Sequence, residues 1–190
     1  MPSAPTLFGD PALPDGFRYQ EDLVSPTEEL ALSSWIAALD LKPFEFHGYL
    51  GNRRIASFGF RYDYSKAKVE AAPEIPSILL DLRERVARFA HHRPDEFVQA
   101  MATEYAPGAG IGWHKDKAQF GEIVGVSLLA PARFRLRRKM GERWERATKI
   151  IAPRSAYLLS GQVRGLWEHS IPAQEKLRYS ITFRTLAAKP

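Results

Sequence analysis

From Glu96 onward the chain offers one short strand after another and no helical spacing of apolar residues. Phe97–Tyr105, Glu122–Leu129, Arg133–Arg137, Arg143–Ile150, Arg154–Leu159 and Arg178–Arg184 read as strands, with Lys139-Met-Gly-Glu142 turning the third into the fourth. Strands that follow each other without an intervening helix argue against a parallel α/β sheet and for two antiparallel sheets packed together. The expected fold class is α+β, mainly β: a double-stranded β-helix (jelly roll) with two N-terminal bracing helices.

The two helices are predicted ahead of the strands. Ser25-Pro26-Thr27-Glu28 combines an N-cap serine, a proline at the first helical position and a glutamate placed for a capping box. Leu30, Leu32, Ile36 and Leu39 then form an apolar face, and Leu41-Lys42-Pro43 ends it. Ile75, Ile78, Leu79, Leu82, Val86 and Phe89 mark a second helix whose other faces carry solvated charges. His91-His92 follows it, but adjacent histidines point in different directions and make a poor metal pair. Residues 1–24 are expected to wrap irregularly, with Gly16–Tyr19 as a short edge strand.

Between the helices, residues 45–64 read as extended segments around a Gly51-Asn52 turn. Phe58, Phe60, Tyr62 and Tyr64 alternate, which puts them on one face of a strand. That face is either core, as aromatics at strand spacing usually are, or a lid over a planar substrate with Arg53 and Arg54 facing phosphates.

Composition narrows the setting. No cysteine is present, which excludes disulfides and thiolate metal sites. No apolar run approaches the ~20 residues of a membrane span, and the first ten residues lack a basic start and an apolar stretch, so the expectation is a cytoplasmic protein with no membrane association. A net charge of +5 permits an acidic partner such as nucleic acid. The 190 residues show no repeat or dividing linker and are read as one domain.

His114 and Asp116, two apart on an extended segment, project from one face and make two-thirds of a metal site. Such a pair also arises by chance. It gains weight from His169 in Trp167-Glu168-His169 and from Arg178 and Arg184 in the last strand. Two imidazoles and one carboxylate suit Fe(II) and leave positions open. Arginines on a strand often make only surface ion pairs; here the interposed Ile181 and Phe183 argue for buried neighbours. Six residues apart, both arginines face one side of the strand.

These residues resemble the AlkB family of Fe(II)- and 2-oxoglutarate-dependent dioxygenases. The likeness is carried by Tyr105-Ala-Pro-Gly-Ala-Gly-Ile-Gly-Trp-His114-Lys-Asp116, by Leu158-Leu-Ser-Gly161 before Trp167-Glu-His169-Ser-Ile, and by Arg178-Tyr-Ser-Ile-Thr-Phe-Arg184, in family order. The resemblance implies that His114, Asp116 and His169 bind iron, with 2-oxoglutarate and dioxygen as co-substrates. It implies that Arg178 clamps the distal carboxylate of 2-oxoglutarate with help from Tyr105, and that Arg184 stands near the metal-bound end or its ligands. Where much of the family has asparagines, this chain has Thr103 and Ser180, shorter candidate co-substrate contacts. Residues 1–95 would form an N-terminal extension with helices and substrate lid, and 96–187 the jelly-roll catalytic core.

The implied reaction is oxidative demethylation of N-alkylated bases in DNA or RNA, preferably single-stranded, by a monomeric enzyme. Arg53, Arg54, Phe58 and Tyr62 are the candidate substrate contacts, and the Arg133–Lys139 hairpin is either a phosphate track or a solvated face paired with Glu142 and Glu145. The rivals are an oxygenase acting on protein or a small molecule, and a catalytically silent jelly-roll module.

Overall fold

The computed structural model describes residues 13–46, 49–63 and 68–187. The elements run β1 (Phe17–Gln20), α1 (Pro26–Ala37), β2 (Lys42–Phe46), β3 (Tyr49–Phe58), β4 (Phe60–Asp63), β5 (Lys68–Ala71) and α2 (Leu80–Ala90). They continue with β6 (Phe97–Tyr105), β7 (Ile111–His114), β8 (Phe120–Leu128), β9 (Ala132–Met140), β10 (Arg143–Ile151), β11 (Ala156–Leu159), α3 (Gly161–Leu166), β12 (Glu168–Ile171) and β13 (Arg178–Leu186). A seven-stranded sheet has the order β1-β11-β8-β13-β6-β3-β2, and a four-stranded sheet the order β10-β9-β12-β7. The β4–β5 hairpin stands apart from both.

The larger sheet sorts its side chains by alternation. On β13, Tyr179, Ile181 and Phe183 join Leu32 and Ile36 of α1 and Leu82 and Val86 of α2 in one apolar core. The helices therefore brace this sheet from outside. Arg178, Ser180, Thr182 and Arg184 turn the other way, toward the space between the sheets. There Phe17, Tyr105, Ile123 and Tyr157 meet Phe134, Leu136 and Ile151 of the smaller sheet in a second core. The result is a jelly roll whose interior holds both the polar groups of β13 and this second apolar core. Among the described residues no helix is long and apolar enough to cross a membrane.

The capping box of α1 forms as its sequence suggests: Ser25 Oγ accepts from the Glu28 amide at 3.2 Å, and Glu28 accepts from the Ser25 amide at 2.8 Å. Its buried face is Leu32, Ser33 and Ile36, whereas Leu30 is 67% exposed. Leu30 lies about 200° around the helix from Leu32 and cannot share that face. The second helix is shorter than expected. Ser77–Leu79 is a 3₁₀ turn, Ile78 and Leu80 are exposed, and α2 ends where His91 takes φ 62°.

Two expectations between the helices are corrected. Phe46 pairs with Tyr49 and Lys42 with Ile55, so the chain reverses before Tyr49 and Gly51-Asn52 lies inside β3. The aromatic alternation is broken at Gly59, whose φ is +74° and whose Cβ, if present, would stand 2.1 Å from the Val98 carbonyl oxygen. Phe58 therefore ends β3 in the core against Trp35, with ring centroids 5.7 Å apart, while Phe60 begins a separate hairpin. The side chain of Tyr62 and the whole of Tyr64 lie outside the described residues.

Gly59→Ala meets both a left-handed backbone and a clash, whereas Gly108→Ala, at φ +87°, has nothing within 4 Å among the described residues. The first is expected to lower the unfolding free energy by about 3 kcal/mol and the second by about 1 kcal/mol. Denaturant midpoints measure the difference, and equal midpoints would refute the contact at Gly59.

Candidate metal and co-substrate site

Strand pairing assembles the histidines. β7 and β12 are neighbours in the smaller sheet, with His114 directly opposite His169, so both rings project from one face with centroids 4.3 Å apart. Asp116 follows two residues after His114, where β7 has ended. A ligand atom from each of the three lies within 4.8 Å of the others. His114 Nδ1 is 2.9 Å from the Gly112 carbonyl oxygen. A carbonyl only accepts, so Nδ1 carries the proton and Nε2 keeps its lone pair for a metal.

Electrostatics favour the same donor set. Burial pushes the Asp116 carboxyl upward, but Arg184 above all, then His169, His114 and Arg164, hold it well below the usual carboxylate range. Burial, then repulsion by His114, lowers His169 to about 3. Burial also lowers His114, against the opposing pull of Asp116. The 3.3 Å contact between His169 Nε2 and Asp116 Oδ2 is thus one between neutral imidazole and carboxylate. Two neutral imidazoles and one carboxylate are deprotonated and ready for a divalent cation, and these donors fit Fe(II).

The last strand contributes the two arginines. Arg184 spans the sheets: Nε and Nη2 donate to Asp116 Oδ1 at 3.2 and 3.1 Å, and Nη1 donates to Gln99 Oε1 at 2.9 Å. Arg178 is fully buried, opposite Tyr105 in the strand pairing and 5.0 Å from its ring. Its Nε donates to Ser127 Oγ at 3.1 Å, yet among the described residues Nη1 and Nη2 have no hydrogen-bond partner. Leaving two charged donors unmatched is costly, and the free edge of a planar guanidinium fork matches a carboxylate. Thr103 and Ser180 face each other on β6 and β13, both buried and both on the cleft wall.

Arg164, Gln99, Ser127 and Tyr157 also shape the site and were absent from the sequence reading. Arg164 on α3 donates to the carbonyls of Lys117, Phe120 and Gly121 at 2.6–2.7 Å, clamping the loop after Asp116. Nothing in its local sequence marks it. Gln99 could have been found, because β6 alternation sets it on the face of Thr103 and Tyr105. Tyr157 packs over Gly125, where a Cβ would meet its ring carbon at 2.3 Å.

The cleft holds about 1660 Å³, and its walls include the three candidate ligands, Arg184, Tyr105, Arg53, Trp113 and Phe58. Arg53 and Arg54 part company, as consecutive strand residues must. Arg53 stacks 3.7 Å over the Phe44 ring on the cleft side. Arg54 forks onto Glu104 at 2.7 and 3.0 Å.

The outer face of the smaller sheet is basic. Arg137 lies 4.3 Å from each of the Trp113 and Trp144 rings and donates to Glu168 at 2.6 Å. Arg135 donates to Ser170 on this face, whereas Arg138, on the opposite face with Phe134 and Leu136, pairs with Glu145. Arg133, Lys139 and Arg146 are exposed, and among the described residues none has an ion pair.

Asp116→Asn removes the charge that Arg184 answers while keeping the shape. The metal-free protein should lose about 3 kcal/mol of stability in denaturant unfolding; an unchanged midpoint would show that this pair carries no load.

The sequence matches the family model of the 2OG-Fe(II) oxygenase superfamily over residues 28–184. It is 30% identical over 171 residues to tRNA (carboxymethyluridine(34)-5-O)-methyltransferase alkbh8 of Xenopus tropicalis, covering 85% of this chain and 26% of that protein. It is 28% identical over 175 residues to the Alkylated DNA repair protein ALKBH8 homolog of Arabidopsis thaliana, covering 80% of this chain and 49% of the relative. The chain thus spans less than half the length of either. The solved structure of OsALKBH1 superposes with a TM-score of 0.66 at 16% identity, over 92% of this chain and 99% of that one, which shows a shared fold. With a matching family model, a jelly roll and a His-Asp-His cluster between its sheets, the chain belongs to the 2OG-Fe(II) oxygenase superfamily, and the two relatives above are AlkB homologues.

Proposed function

We propose that this chain is an Fe(II)- and 2-oxoglutarate-dependent dioxygenase that demethylates N-alkylated bases in single-stranded nucleic acid. The observation that carries the oxygenase reading is Arg178, buried with two unmatched guanidinium nitrogens in the same interior as the His114, Asp116 and His169 cluster. A dicarboxylate co-substrate answers both features, one carboxylate for the fork and the other end for the metal.

In this reading His114, Asp116 and His169 hold Fe(II). Arg178 binds the distal carboxylate, with Tyr105, Thr103 and Ser180 as further polar contacts. Arg184 keeps Asp116 oriented and ionised from the opposite sheet. Bound Fe(II) would supply the oxidation of the N-methyl carbon to a hydroxymethyl group, with 2-oxoglutarate and dioxygen consumed and succinate and CO2 released. The hydroxymethyl amine then breaks down to formaldehyde and the free base. The chain's own contribution is to orient the reactants and limit water.

The nucleic-acid reading draws on charge. Arg53 and Trp113 stand at the cleft, and Trp113 joins it to the face bearing Arg133, Arg135, Arg137 and Arg146. A cationic, aromatic surface suits a phosphate backbone with unstacked bases. Acting on a base inside a duplex would require flipping it out, so single strands are the easier substrate. The names of the two AlkB-type relatives, one a DNA repair protein and one a tRNA methyltransferase, point the same way.

The purified protein should convert 2-oxoglutarate to succinate only with Fe(II). Arg178→Ala should weaken apparent 2-oxoglutarate affinity by at least about tenfold, as loss of a desolvated charge pair does, with metal binding retained. Equal affinity in mutant and parent would rule Arg178 out as the clamp. Formaldehyde release should be seen with oligonucleotides carrying 1-methyladenine or 3-methylcytosine and should fall as salt rises. Replacing Arg133 and Arg146 together with Ala should flatten the slope of log affinity against log salt by about 1.4, two single-strand phosphate contacts' worth. Release from a methylated peptide but from no oligonucleotide would replace this substrate with a protein.

A further inference from the structure

One buried side chain connects the metal cluster with the hairpin beside the cleft. Gln99, 2% exposed, lies directly opposite Arg184 in the β6–β13 pairing. Its Oε1 accepts from Arg184 Nη1 at 2.9 Å, and its Nε2 donates to the Phe60 carbonyl at 2.8 Å. A guanidinium only donates and a carbonyl only accepts, so a single amide orientation satisfies both. Arg184 in turn holds Asp116 Oδ1. Phe60 opens the β4–β5 hairpin, whose other strand ends at Ala71 on the cleft wall, and Gly59 is fastened to the far end by bonds to Ala72 and Pro73. An unbroken chain of hydrogen bonds therefore runs from the hairpin to a candidate metal ligand.

The geometry points to Gln99 as a positioning residue that fixes Arg184 on Asp116 and couples the β4–β5 hairpin to occupation of the metal site. This rests on the dioxygenase reading only in taking the His-Asp-His cluster to bind a divalent cation. Two contacts divide the role. Gln99→Met removes both. Gln99→Glu keeps an acceptor for Arg184 but has no N–H for Phe60, and its carboxylate repels that carbonyl.

The test adds Co(II) alone to the metal-free protein, follows binding by visible absorbance, and measures hydrogen exchange of the backbone amides at 60–63 and 68–71. In the parent, Co(II) should slow that exchange by about fivefold, the lower end of coupling between linked sites. Gln99→Met should raise the Co(II) dissociation constant by about tenfold, as loss of a ligand's outer support does, and abolish the exchange response. Gln99→Glu should keep binding Co(II) while losing the response. A response kept in either variant, or absent in a parent that binds Co(II), overturns the coupling and leaves the dioxygenase reading standing. A parent that binds no Co(II) overturns both.

Discussion

Asp116 and Arg184 face each other across the gap between the sheets, and the rest of the site depends on their contact. The carboxylate lies just beyond β7 of the smaller sheet and the guanidinium on β13 of the larger, 3.1 Å apart. Burial alone would drive Asp116 to its neutral form; the ion pair reverses that and keeps a charged oxygen available. The same contact pins the metal end of the smaller sheet to the larger one. Such a pair gives little net stability, since both groups are desolvated to make it. Its value here is to hold a ligand oxygen in one place and one charge state, with Arg164 clamping the adjoining loop.

Polar and apolar roles are kept apart by the two-residue period of a strand. β13 sends Tyr179, Ile181 and Phe183 to the helices and Arg178, Ser180, Thr182 and Arg184 to the interior. A one-residue slip would bury both guanidinium groups against α1 and α2, so the register is strongly specified. The helices are therefore part of the functional design, because their apolar cover defines which face of the larger sheet is left for chemistry.

The basic hairpin resolves into two sets of arginines. Arg135, Arg137 and Arg138 are engaged by Ser170, Glu168 and Glu145, and the Arg137 guanidinium is stacked between tryptophans. Arg133 and Arg146 stay exposed on the sheet. The first set is held by its partners, whereas among the described residues the second has no ion pair. Part of this hairpin thus consists of paired charges, with Glu145 the partner that the sequence had offered and Glu168 one that it had not.

The strand-rich second half, the capping box of α1 and the spacing of His114, Asp116, His169, Arg178 and Arg184 were legible in the sequence, because each rests on local periodicity or on short motifs. Strand alternation is enough to place Arg178 with Arg184 before any contact is known, whereas Asp116, just beyond the end of β7, is placed by the loop that Arg164 clamps. Long-range register was not legible. The reversal before Tyr49, the break at Gly59 and the burial of Phe58 against Trp35 all depend on what packs alongside. The parting of Arg53 from Arg54 follows from strand geometry, but their partners, Phe44 and Glu104, come from other strands. Arg164 and Gln99 carry no motif, since their roles exist only where a helix or a neighbouring strand brings a distant carbonyl or guanidinium within hydrogen-bonding reach. Local sequence set the chemical groups and the faces they occupy; tertiary structure decided their partners, because hydrogen bonds and ion pairs form across space between strands far apart in the chain.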